Sequence, residues 1–283
     1  MLAGFLNLNK PYGLTAHDCV AQVRQQLGAR RVGHAGTLDP MAVGVLPIAV
    51  GKYTRLLPFL QGDKSYRAVI QFGIVTDTDD ITGRVLRQQS AQELTLAQIE
   101  PYLAKFMGTI PQRPPAYSAI HIGGKRLYQL ARTQALPVEQ IPLRTVTIHH
   151  LNVMAWQAGE SPKLTIDIDC STGTYIRSIA RDLGEMLGCG ATLAELIRTK
   201  SNGFRLEQSV TLGTIAFTPV DQVFAHLDRV ELSADLLKKW QQGQGIPTPQ
   251  TWHTPYLVTY DPTGQLVGIS EYQAGRLLPK VVL

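Results

Sequence analysis

Apolar residues recur along this 283-residue chain with two periods, and the switches between them mark out its elements. Phe5 to Asn9 reads as a strand. From Thr15 to Leu27, Ala16, Cys19, Val20, Val23 and Leu27 fall on one helical stripe, with Thr15 placed to cap the first turn and Asp18 three residues on. Val43, Val45, Leu46, Ile48, Ala49 and Val50 predict a strand that enters a core and stops at Gly51. Tyr66, Ala68, Ile70 and Phe72 then alternate with Arg67, Val69 and Gln71, the two-residue period of a strand with one mostly apolar face. A second strand is expected at about 84–87, and a helix over 94–106 with Leu96, Ile99, Leu103 and Phe106 inward.

The segment GTIPQRPPAYSAIHIGGKRLYQLAR predicts a Pro-rich approach, a short strand, a Gly123-Gly124 turn and a helix. Strands follow at 143–156 and 163–170, then a helix from Thr174 carrying Ile176, Ile179, Ala180, Leu183 and Leu187. Past Asp228 the texture changes to a short helix at 234–241, a GQGIPTPQ loop, and YLVTYDPTGQLVGISEY, two strands joined through Asp261-Pro262-Thr263-Gly264. Strands and helices mixed without regular βαβ alternation predict an α+β fold around an antiparallel-rich sheet, with residues 229–283 as a small mostly-β module.

Composition narrows the setting. No uncharged apolar run approaches the roughly 20 residues that span a bilayer. The start, MLAGFLNLNKPYG, is too soon interrupted for a signal peptide, so a cytoplasmic protein without a membrane partner is expected. Cys19, Cys170 and Cys189 are scattered and odd in number, which points to packing rather than disulfides or a thiolate metal site. The net charge of +5 is concentrated. Lys105, Arg113, Lys125, Arg126, Arg132 and Arg144 face the single acid Glu139, with Tyr117, His121 and Tyr128 interleaved. A solvated basic face has that composition too, but the rings favour RNA, since they stack on unpaired bases while the cations hold phosphate.

Several chemical motifs fail on spacing. GVLPIAVGKY has six residues between Gly44 and Gly51 where a phosphate loop needs four, and GCGATL lacks the third glycine of a dinucleotide fingerprint. His149 and His150 are adjacent, so a strand turns them to opposite sides. Asp77, Asp79 and Asp80 lack the glycine and distal glutamate of a calcium loop and read as a solvated turn. Nothing asks for a cofactor or a metal. Asp39 stands apart as the only carboxylate between Asp18 and Asp63, inside GHAGTLDPMAVGVLPIAVG. Gly33 and Gly36 permit close backbone approach, Pro40 drives Asp39 toward an extended conformation, and an apolar strand follows. Taken by itself, an Asp before Pro is a common turn-former; here it is either that or a reactive group at the edge of an apolar wall.

The stretches GHAGTLDPMAVGVLPIAVG, KSYRAVIQFGIVTDTDD, RPPAYSAIHIGGKRLYQLAR, CSTGTYIRSIARDLG and LIRTKSNGF, in this order and spacing, closely resemble the bacterial tRNA pseudouridine-55 synthases over nearly all of residues 3–215. The resemblance implies a cofactor-independent isomerase that converts one uridine in the T loop of tRNA to pseudouridine. It implies the pseudouridine-synthase fold, with a mixed sheet and a central RNA-binding cleft. Residues 1–228 would be the catalytic domain, with an RNA-clasping insertion at about 105–144, and residues 229–283 a PUA-like RNA-binding module. By the same resemblance Asp39 is the nucleophile, attacking C1′ or C6, or a base toward a glycal-like intermediate, and Arg177 pairs with it and keeps it ionised. Tyr66 would lie against the uracil and take the C5 proton. Tyr175 would contact the target nucleotide, Leu196 would line the uridine pocket, and His34 would stack where the flipped uridine leaves the loop or order the turned-out loop bases. Lys125, Arg126 and Arg132 would hold phosphates. The expected partner is the tRNA T stem-loop, bound by a monomer with no protein partner. Two other functions fit parts of the pattern: a chaperone that opens the tRNA elbow without needing catalysis, and a base-exchanging transglycosylase.

Overall fold

A computed structural model describes residues 2–60, 62–118, 120–122, 125–127 and 140–283. First come β1 (Gly4–Lys10), α1 (Ala16–Leu27), β2 (Val32–His34) and β3 (Val43–Val50). Next are β4 (Lys64–Phe72), β5 (Ile74–Thr76), β6 (Val85–Gln88), α2 (Leu96–Leu103) and β7 (Gly108–Gln112), then the short β8 (His121–Ile122) and β9 (Lys125–Arg126). They are followed by β10 (Arg144–Gln157), β11 (Lys163–Cys170), α3 (Ile176–Met186), β12 (Ala191–Ser201), β13 (Phe204–Arg205), β14 (Val210–Thr211), β15 (Phe217–Thr218) and α4 (Val220–Val223). The chain finishes with β16 (Asp228–Glu231), α5 (Ala234–Gln241), β17 (Ile246–Pro247), β18 (Tyr256–Tyr260), β19 (Leu266–Gln273) and β20 (Arg276–Val282). The expected helix after Gly124 lies outside the described residues. Among the described residues no helix is long and apolar enough to cross a membrane.

The chain forms two compact units, one of Met1–Asp39, Val45–Gln61 and Asn202–Leu283, the other of Pro40–Gly44 and Gly62–Ser201. In the first, α1 begins with the predicted cap: the Asp18 amide donates to Thr15 Oγ1 at 3.0 Å and the Thr15 amide to Asp18 Oδ2 at 2.9 Å. Ala16, Cys19, Val20 and Val23 are buried against Leu6, Leu8, Leu46 and Ile48. β1 lies beside the parallel β14 and the antiparallel β15, and β2 runs antiparallel to β3. The C-terminal strands order as β16-β18-β19-β20-β17. One face of that sheet, with Val258, Tyr260, Leu266, Ile269 and Val281, joins a core shared with Phe5, Phe204 and Phe224; the other face covers Trp240 and Leu232.

In the second unit β12, β4, β11, β10 and β7 pair antiparallel in that order, and Val43 and Gly44 run parallel beside Ile197 and Arg198. Gly44 has φ +100° and lies so close to β12 that a Cβ there would meet the Arg198 carbonyl at 2.3 Å, so the pairing requires glycine. β4 alternates as predicted, with Tyr66, Ala68, Ile70 and Phe72 buried. β12 has register shifts between Leu193 and Glu195 and between Arg198 and Lys200, and these bulges break the two-residue period in its sequence.

The acidic turn is not solvated. Asp80 is 4% exposed; its Oδ1 accepts from Thr78 Oγ1 (2.9 Å), the Thr82 amide (3.0 Å) and Thr82 Oγ1 (2.6 Å). Asp79, in the left-handed region at φ 60°, pairs with Arg181 at 3.0 Å. The turn between β5 and β6 is folded inward because arginines of α3 meet it there, cations too distant in sequence for the local pattern to reveal.

Candidate active site

The candidate residues divide between the two units, with His34 and Asp39 in the first and Tyr66, Tyr175, Arg177 and Leu196 in the second. Asp39 is partly exposed, whereas Leu38, Met41 and Ala42 around it are 4%, 4% and 0% exposed. Its backbone is therefore anchored on both sides by buried neighbours. His34 ends β2 opposite Ile48 and packs edge-to-face with His17, ring centroids 6.0 Å apart.

Strand register gathers the second group. Tyr66 on β4 is opposite Arg198 on β12, and its neighbour Ala68 is opposite Leu196, so Tyr66 and Leu196 are diagonal neighbours on one sheet face. Tyr66 is 6% and Leu196 7% exposed. Tyr175 caps the start of α3, and the buried side-chain amide of Gln112 clasps its backbone: Nε2 donates to the Tyr175 carbonyl at 3.0 Å, and Oε1 accepts from its amide at 2.8 Å.

Arg177 is 4% exposed, not a cation on the helix surface. Its Nη1 donates to the Thr78 carbonyl (2.9 Å) and Nη2 to the Tyr117 carbonyl (3.1 Å), with Asp80 Oδ2 3.7 Å away. Arg181, one helical turn on, donates to the Arg113 carbonyl at 2.8 Å and pairs with Asp79 and Asp182. Burial pushes Asp79 up to about 6, outweighing the opposing pull of Arg181 and Arg177. Lys64 is pushed down to about 8 by burial and by the Arg198 cation beside it.

Lys125 and Arg126 form β9 and pair with Ile122 and His121. Arg132 and Tyr128 lie outside the described residues. Sequence reasoning missed Gln112, Asp80 and Arg198. Arg198 is two residues beyond Leu196 in the run already singled out and is 0% exposed; among Glu195, Thr199 and Lys200 nothing in the sequence marked it as buried. Gln112 had none.

The sequence profile of the TruB family pseudouridylate synthase (N terminal domain) matches residues 24–176. Two further profiles match: tRNA pseudouridylate synthase B C-terminal domain over 177–230, and pseudouridine synthase II TruB, C-terminal, over 229–283. A tRNA pseudouridine synthase B of Gloeobacter violaceus is 48% identical over 297 residues, covering 100% of this chain and 99% of its own. That of Synechococcus elongatus is 48% identical over 289 residues, covering 99% and 98%. Among solved structures, an H/ACA RNP bound to a substrate RNA containing 2′-deoxyuridine has a chain that superposes with TM-score 0.72 at 23% identity, over 99% of this chain and 84% of that one. A Cbf5-Nop10-Gar1 complex gives 0.71 at 24%, with the same coverage. These neighbours share the α+β fold built around a large mixed sheet. With profiles meeting end to end along residues 24–283 and relatives nearly half identical over their whole lengths, the chain belongs to the TruB family of pseudouridylate synthases.

Proposed function

We propose that this chain converts uridine 55 in the T loop of tRNA to pseudouridine, without a cofactor, through Asp39. The observation that carries the reading is the setting of Asp39, a half-buried acid held between the buried Leu38 on one side and the buried Met41 and Ala42 on the other, inside the segment GHAGTLDPMAVGVLPIAVG that carries the resemblance. The reaction cuts uracil from C1′, turns it over, and joins C5 to C1′ with loss of the C5 proton. The site must hold a detached base and shield a reactive sugar from water. Asp39 serves as nucleophile at C1′ or C6, or as base toward a glycal-like intermediate. Arg177 supplies the opposing charge, and its bonds to two carbonyls fix where that charge stands.

Tyr66 and Leu196, neighbours on one sheet face, form a wall for the uracil, and Tyr66 removes the C5 proton directly or through water. Tyr175, its backbone clasped by Gln112, contacts the target nucleotide. His34 fills the stack that the flipped uridine leaves, which offsets part of the few kcal/mol that extrusion costs. Lys125, Arg126 and Arg132 hold phosphates within an RNA-clasping insertion at about 105–144, and residues 229–283 act as a PUA-like RNA-binding module on the catalytic domain of residues 1–228. The enzyme works as a cytoplasmic monomer on the T stem-loop.

A tRNA transcript with tritium at uracil C5 tests this. The isomerase releases label to water and leaves RNA mass unchanged; a chaperone releases none, and a transglycosylase frees a base. Asp39→Asn should abolish release while keeping tRNA binding within about tenfold. Release at a near-normal rate from that variant would remove Asp39 from the chemistry.

A further inference from the structure

Lys64 opens β4, two residues before Tyr66, and the alternation along that strand puts it on the same face as Tyr66, Ala68 and Ile70. It stands opposite Cys170, the last residue of β11, and Ser201, the last of β12. One end of one sheet face thus carries Lys64, Tyr66, Leu196 and Arg198.

The groups that bear on the Lys64 ammonium do not neutralise it. From β12 comes the like charge of Arg198; from β11 comes the Cys170 thiol, which burial pushes up to about 12 and so keeps protonated. The adjacent acid, Asp63, is turned outward, its side chain half exposed and paired with His149 at 3.1 Å. Among the described residues no carboxylate pairs with Lys64. A cation that has lost much of its hydration beside another cation is costly. That cost is relieved when an anion arrives, and the anion that an RNA brings is phosphate. Two residues along a strand is about 6.6 Å, a displacement of the same order as that from a base to its own sugar-phosphate backbone.

We propose that Lys64 binds an RNA backbone phosphate next to the target uridine and thereby positions the nucleotide whose base lies against Tyr66. This rests on the reading above, in which the uracil packs on Tyr66. Lys64 acts on binding and orientation, whereas Asp39 acts on the bond being broken.

The experiment compares the full-length chain with Lys64→Met and Lys64→Arg, measuring affinity for tRNA transcript between about 50 and 200 mM salt. Tritium release from uracil C5 is followed on the same preparations. Lys64→Met should lower the slope of log affinity against log salt by about 0.7 to 0.9, the loss of one phosphate contact, and weaken binding about tenfold at low salt. Lys64→Arg should restore the slope. A melting temperature no lower than that of the parent chain confirms that Lys64→Met is folded, since that change removes an unneutralised charge. An unchanged slope in Lys64→Met overturns the proposal. So does a fall in kcat with slope and affinity intact, which would put the ammonium on the uracil instead. Failure of the parent chain to release tritium would sink the isomerase reading and not the slope comparison, so the two are separable.

Discussion

Replacing Asp80 by alanine tests whether the acidic turn between β5 and β6 is a buried device or a solvated loop. Asp80 and Arg177 are 3.7 Å apart, with 6% and 5% of their side chains exposed. Truncation deletes three hydrogen bonds to Asp80 Oδ1 and leaves the Thr82 amide and hydroxyl to find new partners. Thr82 is exposed, so water takes up its freed groups at little cost, whereas removing one partner of the buried ion pair costs about 3–5 kcal/mol. Arg177 keeps its bonds to the Thr78 and Tyr117 carbonyls, so the cost should lie at the low end of that range, about 3–4 kcal/mol. At about 2–4 °C per kcal/mol for a chain of this size, the melting temperature should fall by roughly 10 °C. Asp80→Asn, which preserves shape and one acceptor, should lose less than half of that. Thermal unfolding followed by circular dichroism reads both. Melting of Asp80→Ala within about 2 °C of the parent chain would refute the buried network and restore the solvated turn.

Three further substitutions probe other parts of the same frame. Gly44→Ala combines a left-handed backbone with a contact of 2.3 Å to the Arg198 carbonyl and should cost about 2–5 kcal/mol, seen as a lower urea midpoint at constant slope; an unchanged midpoint would deny the close pairing of β3 and β12. Gln112→Ala frees the backbone of Tyr175 and should raise KM for tRNA several-fold with a smaller change in kcat, whereas unchanged kinetics would show that the clasp positions nothing that the substrate touches. Because Asp79 is raised to about 6 in the folded chain, the native state binds its proton more tightly than the unfolded state does. Its contribution to stability therefore decreases as pH rises from about 4 to 6, by up to about 3 kcal/mol. Asp79→Asn, which tolerates the left-handed conformation, should remove that part of the slope in denaturant titrations at pH 4.5 and 7, and identical slopes in both proteins would contradict it.

Much of the fold was legible because its signals are local. The capping box of α1, the alternation of β4 and the turn at Asp261, whose Oδ1 accepts from the amides of Thr263 and Gln265, lie within a few residues of the positions that announce them. β12 was not readable as a strand, since two bulges shift its register and spoil the alternation from Ala191 to Ser201. The acidic turn was misread for a related reason: Asp79 and Asp80 are charged in sequence but are matched by Arg181 and Arg177, about a hundred residues away. For the candidate site, the sequence offered candidate residues, while the contacts that hold them in the structure could not be read from it. The hydrogen bonds of Arg177 and the clasp on Tyr175 are made to backbone atoms, and a backbone carbonyl has no letter in a sequence.

The core that joins Phe5 and Phe224 to Val258, Ile269 and Val281 also sets an order of events. As the chain leaves the ribosome, the Gly62–Ser201 segment is complete and can condense while the C-terminal sheet has yet to be made. In the unit bearing Asp39, Leu6 and Leu8 of β1 can pack on α1 and β3 early, but the Phe5 side of that strand waits until β18, β19 and β20 arrive to cover it. The unit that carries Tyr66 and Arg177 can thus be complete before the unit that carries Asp39 has all of its strands. A chain that stopped before β18 would leave Phe5 and Phe224 without the partners that bury them.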